Sequence, residues 1–187
     1  IAASEALFRL SIVSDLIRQM FLMLLPLVLY KLLKPVNKTI ASLMVIFALV
    51  CVPINLLNEL NHFAVLLLSS GADDLTAFKA DQLHALVMFF IDLRKYGTFI
   101  TQFFSFWVLL LGYLVFKSGF LPRILGILLM LGGLCYTILA VLFFLFPNFD
   151  ATIFGVFTFI EEAIFYLWLL IKGVNVKEWE KRALESA

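Results

Sequence analysis

Charge is what this chain has least of. Asp, Glu, Lys and Arg make up 14% of its 187 residues against 64% apolar residues, and the mean hydropathy is +1.07. A soluble domain is usually about a quarter charged. Three stretches carry no charge: 20 residues between Lys38 and Glu59, 21 between Lys95 and Lys117, and 26 between Arg123 and Asp150. Cysteine is scarce as well. Cys51 and Cys135 both lie in apolar runs, which excludes a disulfide framework and a CxxC metal motif and leaves them as small buried hydrophobes. No basic block stands out and the net charge is only +1, which argues against a nucleic-acid partner. No nucleophile motif, HExxH or glycine-rich phosphate loop occurs. No catalytic set can be assembled, and no cofactor is expected. The chain opens Ile1-Ala2-Ala3-Ser4-Glu5, without a Met or a signal-peptide pattern, so a preceding segment is expected.

What is present is membrane helix. A bilayer core takes roughly 20 apolar helical residues, so each uncharged run spans once. Two further apolar stretches, 10–30 and 151–171, are long enough but hold Asp15 and Arg18 in the first and Glu161 and Glu162 in the last. The expected fold is a single all-α bundle over 1–187, with spans at about 10–30, 39–62, 97–117, 124–146 and 151–171. A helix of about 82–95 is expected to lie on the outer face, because Arg94-Lys95-Tyr96-Gly97 interrupts the apolar pattern there. One long helix through that segment is the alternative.

Loop charges alternate in sign. Lys31, Lys34 and Lys38 follow the first span, Lys117 and Arg123 the third, and Lys172, Lys177, Lys181 and Arg182 the fifth. Asp73, Asp74 and Asp81 follow the second, and Pro147-Asn148-Phe149-Asp150 the fourth. The positive-inside rule makes the basic loops and the C-terminus cytoplasmic. Pro35 and Pro122 fit tight turns, and Gly71 and Gly173 fall just past helix ends. Gly126, Gly133 and Ala140 recur every seven residues on one face of the fourth span. Small residues there permit close helix contact, either within the bundle or across a homodimer seam.

With that orientation the intramembrane polar groups gather in one half. Asp15, Arg18 and Gln19 lie in the outer half of the first span. Asn55, Asn58, Glu59, Asn61 and His62 mark the outer end of the second. Gln102 is just inside the third, and Glu161 and Glu162 are near the middle of the fifth. Ionisable groups at this depth are costly and often functional, so a polar pocket opening outward is expected, with Glu162, Asp15 and Arg18 sharing it. Asp15 and Arg18 can also neutralise each other at i,i+3, and the second-span cluster can act as interhelical hydrogen-bond glue. Glu161 and Glu162 are candidates for carrying a proton or binding a cation. Glu59-Leu60-Asn61-His62 matches Glu-x-x-His, the spacing by which di-iron bundles aim two ligands inward. Those sites need a second such motif, so Glu59 and His62 are only a weak metal candidate.

Several stretches, in order along nearly the whole chain, carry a resemblance. They are Phe8-Arg9-Leu10 with Asp15-Leu16, Leu32-Leu33-Lys34-Pro35-Val36-Asn37, Asn55-Leu56-Leu57-Asn58 and Asp92-Leu93 with Tyr96-Gly97. Leu111-Gly112-Tyr113-Leu114 follows, then Ser118-Gly119-Phe120-Leu121-Pro122-Arg123-Ile124-Leu125-Gly126, Pro147-Asn148, Glu162 and Trp168-Leu169-Leu170-Ile171-Lys172-Gly173-Val174. Together they resemble a bacterial integral membrane family, domain-of-unknown-function family 4386. The resemblance implies six spans, one of them before Ile1, with both termini cytoplasmic in a bacterial cytoplasmic membrane. It supplies no activity. It places Arg9, Asp15, Asn58, Asp92, Tyr96 and Glu162 on family-like positions, and Glu59 and His62 off them. The chain departs where the family tends to have His, showing Arg94 and Trp107.

The reading is a multi-pass membrane protein that binds or moves an ion, proton or small ligand through Glu162, Asp15, Arg18, Asn58, Asp92, Tyr96 and Glu161. The alternative is a structural or regulatory subunit that holds a partner protein, or a second copy, through helix packing. An enzyme is not favoured. The bilayer itself is the one partner the composition implies.

Overall fold

The computed structural model describes residues 2–70, 75–146 and 152–185. These residues form seven helices and no strand: α1 (Ala2–Leu33), α2 (Lys38–Leu68), α3 (Ala80–Phe104), α4 (Phe106–Ser118), α5 (Arg123–Leu145), α6 (Thr152–Ile171) and α7 (Val176–Glu185). Five helical stretches are long and apolar enough to cross a membrane: α1, α2, α3 with α4, α5 and α6. The acidic pair Asp73 and Asp74, Gly71 and the Pro147–Asp150 loop lie outside the described residues.

The third span differs from expectation. The break expected at Arg94-Lys95-Tyr96-Gly97 is not there; α3 runs through it, and the helix is interrupted at Ser105. Neither charge disturbs the helix, because Lys95 pairs with Asp92 one turn back (2.7 Å) and Arg94 points to carboxylates on α1 and α2. Gly97 leaves room for the Asn58 side chain, which a Cβ would meet. At Ser105 the backbone N–H turns to the Gln102 carbonyl instead of continuing the α pattern. The hydroxyls of Thr98 and Ser105 donate to the carbonyl four residues back, at 3.0 and 3.1 Å, and that of Thr101 shares its hydrogen between the Gly97 carbonyl (3.2 Å) and Asn55 Oδ1 (3.0 Å), a pattern that bends helices. The stretch Ala80–Ser118 is 39 residues, or roughly 58 Å at 1.5 Å per residue, nearly twice a bilayer core of about 30 Å.

The core forms around α4, whose Trp107, Val108, Leu111, Leu114 and Val115 are buried. Its closest neighbour is α5, and glycine sets the approach. A Cβ on Gly126 would lie 2.5 Å from the Phe116 nitrogen and 2.7 Å from the Gly112 carbonyl oxygen, and one on Gly112 would meet the Gly126 carbonyl in return. Gly133 faces the Leu109 backbone. The small-residue face of α5 is therefore spent inside the chain. Ala140 is buried further along, where α5 meets Ile100, Phe103 and Phe104 of α3.

One end of the bundle gathers the tight turns. Asn37 caps α2 by accepting from Ile40 N–H (2.9 Å), and Gly119, at φ +78°, ends α4 in the left-handed conformation that glycine adopts without penalty. Trp179 of α7 donates from Nε1 to the Leu32 carbonyl (2.9 Å), and Asn175 N–H donates to the Phe120 carbonyl (3.1 Å). The C-terminal segment is thereby tied to the α1–α2 and α4–α5 turns, which carry Lys34, Lys117 and Arg123 in or beside them.

Candidate functional site

At the other side of this core, polar residues recur at helical spacing on faces that meet: Asp15 and Arg18 on α1, Asn55, Asn58 and Glu59 on α2, and Arg94, Thr98, Thr101 and Gln102 on α3, with Leu22 and Cys51 beside them. Together with Ser105 at the break, Trp107 and Val108 of α4, Tyr136 of α5 and Glu162 of α6, they enclose a cavity of about 370 Å³. Sites for small molecules typically occupy about 300–1,000 Å³.

Arg94 is the hub. Its Nη2 lies 2.8 Å from Asp15 Oδ2 and 3.2 Å from Glu59 Oε1, joining α1, α2 and α3 through one nitrogen. Asp15 also meets Arg18 Nε at 3.3 Å, and Glu59 meets His62 Nδ1 at 3.0 Å. The Glu59 side chain is only 4% exposed. Phe8 packs edge-on against the His62 ring, with centroids 5.1 Å apart. Asn55 links three helices, donating to Gln19 Oε1 (3.3 Å) and accepting from Thr101 Oγ1 (3.0 Å). Asn58 donates to the Arg94 carbonyl at 3.1 Å. The glue expected of this cluster is present, and it ties α2 to both neighbours.

The two glutamates of α6 part ways. Glu162 lines the cavity with Asp15 and Arg18 and accepts from Tyr136 OH at 3.0 Å. Arg18 is near enough to act on it electrostatically, but among the described residues no Lys, Arg or His nitrogen lies within 4.0 Å of it. Glu161, 100° round the helix, is 1% exposed and packs onto Gly132 of α5. Neither of its carboxylate oxygens has a hydrogen-bond partner among the described residues.

Of the seven candidate binding residues, Asp15, Arg18 and Glu162, the three expected to share a pocket, line one cavity together with Asn58. Asp92, Tyr96 and Glu161 do not. Asp92 is 54% exposed and bonded to Lys95, and Tyr96 packs edge-on against Phe143 of α5. Positions 92 and 96 are each about 200° from Arg94 on a helix, which carries them off the face that meets α1 and α2. Arg94, Tyr136 and the hydroxyl row of α3 were not singled out as site residues by sequence. The 94, 98, 101, 105 spacing puts Arg94 and the hydroxyls on one helix face but does not by itself mark a site, and Tyr136 on α5 carries no such pattern. The weak metal candidates Glu59 and His62 are joined by Asp15; one ligand atom from each lies within 4.8 Å of the others.

The family described as "Domain of unknown function (DUF4386)" matches residues 1–173. An uncharacterised protein of Archaeoglobus fulgidus is 35% identical over 150 residues, which covers 80% of this chain and 75% of that one. No solved structure matches.

Proposed function

The chain belongs to the DUF4386 family, and on that premise we propose that it is a membrane protein whose interhelical cavity binds a small organic cation of the ammonium class, with Glu162 as the carboxylate anchor. The observation that carries this reading is a cavity carboxylate, Glu162, that has no ion-pair partner among the described residues. Three carboxylates (Asp15, Glu59 and Glu162) line the cavity against two guanidiniums, and both guanidiniums are committed to Asp15 and Glu59. Among the described residues the hydrogen-bond partner of Glu162 is the neutral Tyr136 phenol, with Arg18 further off.

Size and lining support the ligand class. At roughly 30 Å³ per water, the cavity has room for about a dozen waters, far more than a bare ion needs. Trp107 and Tyr136 line the same cavity as Glu162, and aromatic faces attract ammonium groups by about 0.5–2 kcal/mol. The expected orientation puts this cavity toward the outer leaflet and the basic turns and α7 toward the cytoplasm. The partner-subunit alternative has less support, since the glycine face of α5 that would receive a partner helix is covered by α4.

The test uses purified protein in lipid nanodiscs and a thermal-shift panel of methylammonium, tetramethylammonium and K⁺. A ligand at 100 times its Kd stabilises by about 2.7 kcal/mol, which for a domain of this size is a rise of roughly 5–11 °C. Glu162→Gln should abolish the rise with ammonium ligands. A rise of equal size in the variant, or none in either protein, would contradict the reading.

A further inference from the structure

We propose that Asp15, Glu59 and His62 form a divalent transition-metal site in which the Arg94 guanidinium holds the metal's place until a metal binds. This goes beyond the ammonium reading and does not depend on Glu162. Two carboxylates and one imidazole, drawn from α1 and α2, are a donor set suited to Zn²⁺, Mn²⁺ or Fe²⁺. The donors are already gathered: one ligand atom of each lies within 4.8 Å of the others, and Glu59 Oε2 and His62 Nδ1 are 3.0 Å apart. Bonds of about 2.0–2.2 Å in a tetrahedral site put donors on one ion roughly 3.3–3.6 Å apart, so side-chain shifts of about an ångström close the set.

A second observation separates this cluster from an ordinary ion-pair network. Arg94 occupies the space between the two carboxylates, but it does so poorly. It meets both with the single nitrogen Nη2, not with the two-pronged grip that guanidinium usually makes with carboxylate. Its Nε is buried without a hydrogen-bond partner among the described residues. The cluster thus presents two carboxylates and a histidine around one incompletely satisfied cation. A dication in its place would meet both carboxylates and the imidazole at once, with Arg18 remaining beside Asp15.

The guanidinium also has somewhere to go. Arg94 and His62 border a second cavity of about 400 Å³, lined by Phe8, Ile91, Lys95, Thr98 and Phe99. This cavity reaches the imidazole, does not include Glu162 in its lining, and provides both an entry route and a berth for the displaced side chain. The edge-on contact of Phe8 fixes the plane of the His62 ring, an arrangement that orients a ligand before the metal arrives.

The experiment is a titration of chelator-stripped protein in nanodiscs with Co²⁺ and Zn²⁺, following cobalt absorption and calorimetry. One metal per chain is expected. Affinity should fall at least about tenfold in Asp15→Asn and in His62→Gln, and rise roughly tenfold in Arg94→Met, where the resident competitor is gone. His84→Gln, at the only other histidine, should bind like the unaltered protein. Zinc should also raise the melting temperature of Arg94→Met more than that of the unaltered chain, a readout that survives if one ligand variant folds poorly. No saturable binding in either the unaltered chain or folded Arg94→Met would overturn the proposal. So would binding that His84→Gln abolishes and His62→Gln leaves intact. The metal titration reads Asp15, Glu59 and His62, whereas the ammonium shift reads Glu162, so failure of one is distinguishable from failure of the other.

Discussion

Replacing Arg94 by Met removes one side chain and strips two carboxylates of a partner. Asp15 keeps Arg18 at 3.3 Å and is 23% exposed, so water and its neighbour carry part of its charge. Glu59 is worse placed. It is 4% exposed and is left with His62 alone. Breaking a buried pair by deleting one member typically costs about 3–5 kcal/mol, because an uncompensated charge remains. For a chain of this size that is a fall in melting temperature of roughly 6–20 °C. The cost should be conditional. In Glu59→Gln with Arg94→Met the stranded charge is gone, and the double variant should be more stable than Arg94→Met alone, with a coupling energy of about 1–3 kcal/mol. Thermal unfolding in detergent without added metal measures all four corners of the cycle. Additive losses, with no recovery in the double variant, would refute the reasoning that Arg94 stabilises the bundle chiefly by neutralising Glu59.

Gly126→Leu should destabilise by about 1–3 kcal/mol or more, since its side chain would have to displace the Phe116 and Gly112 backbones. Gly155→Leu, which meets nothing within 4 Å, is the matched control in the same unfolding assay. On a background lacking Cys51 and Cys135, an impermeant thiol reagent applied to intact cells should label cysteine at position 76 and spare one at position 177; the reverse pattern would invert the orientation. Trp179→Ala should free α7 from the Leu32 carbonyl, and limited proteolysis should then release residues after 175 faster, with the rest of the bundle intact.

The fold was legible because hydropathy registers the one constraint a bilayer imposes, long uncharged helices. All five spans follow from it. Its failure at 94–97 has the same origin: hydropathy reads Arg94 as a membrane boundary, whereas in the bundle it is drawn inward by carboxylates 35 and 79 residues away. Charged residues at depth announced Asp15, Arg18 and Glu162. Tyr136 and the hydroxyls of α3 did not announce themselves, since Thr, Ser and Tyr pass as ordinary membrane residues until a neighbour's acceptor is placed beside them. Asp92 and Tyr96 drew attention by type and resemblance, but their helical phase relative to Arg94 carries them off the site. The seven-residue recurrence of Gly126 and Gly133 predicted a close contact, but only the position of Gly112 on α4 makes that contact internal.

The most direct test of the account is calorimetric titration of tetramethylammonium into the unaltered chain and Glu162→Gln, both in nanodiscs at low salt. The account predicts one saturable site in the unaltered chain and its loss in Glu162→Gln, with the two proteins sharing the same unliganded melting temperature to within a few degrees. Equal binding by both proteins, or a heat that stays linear in both up to tens of millimolar, would contradict it.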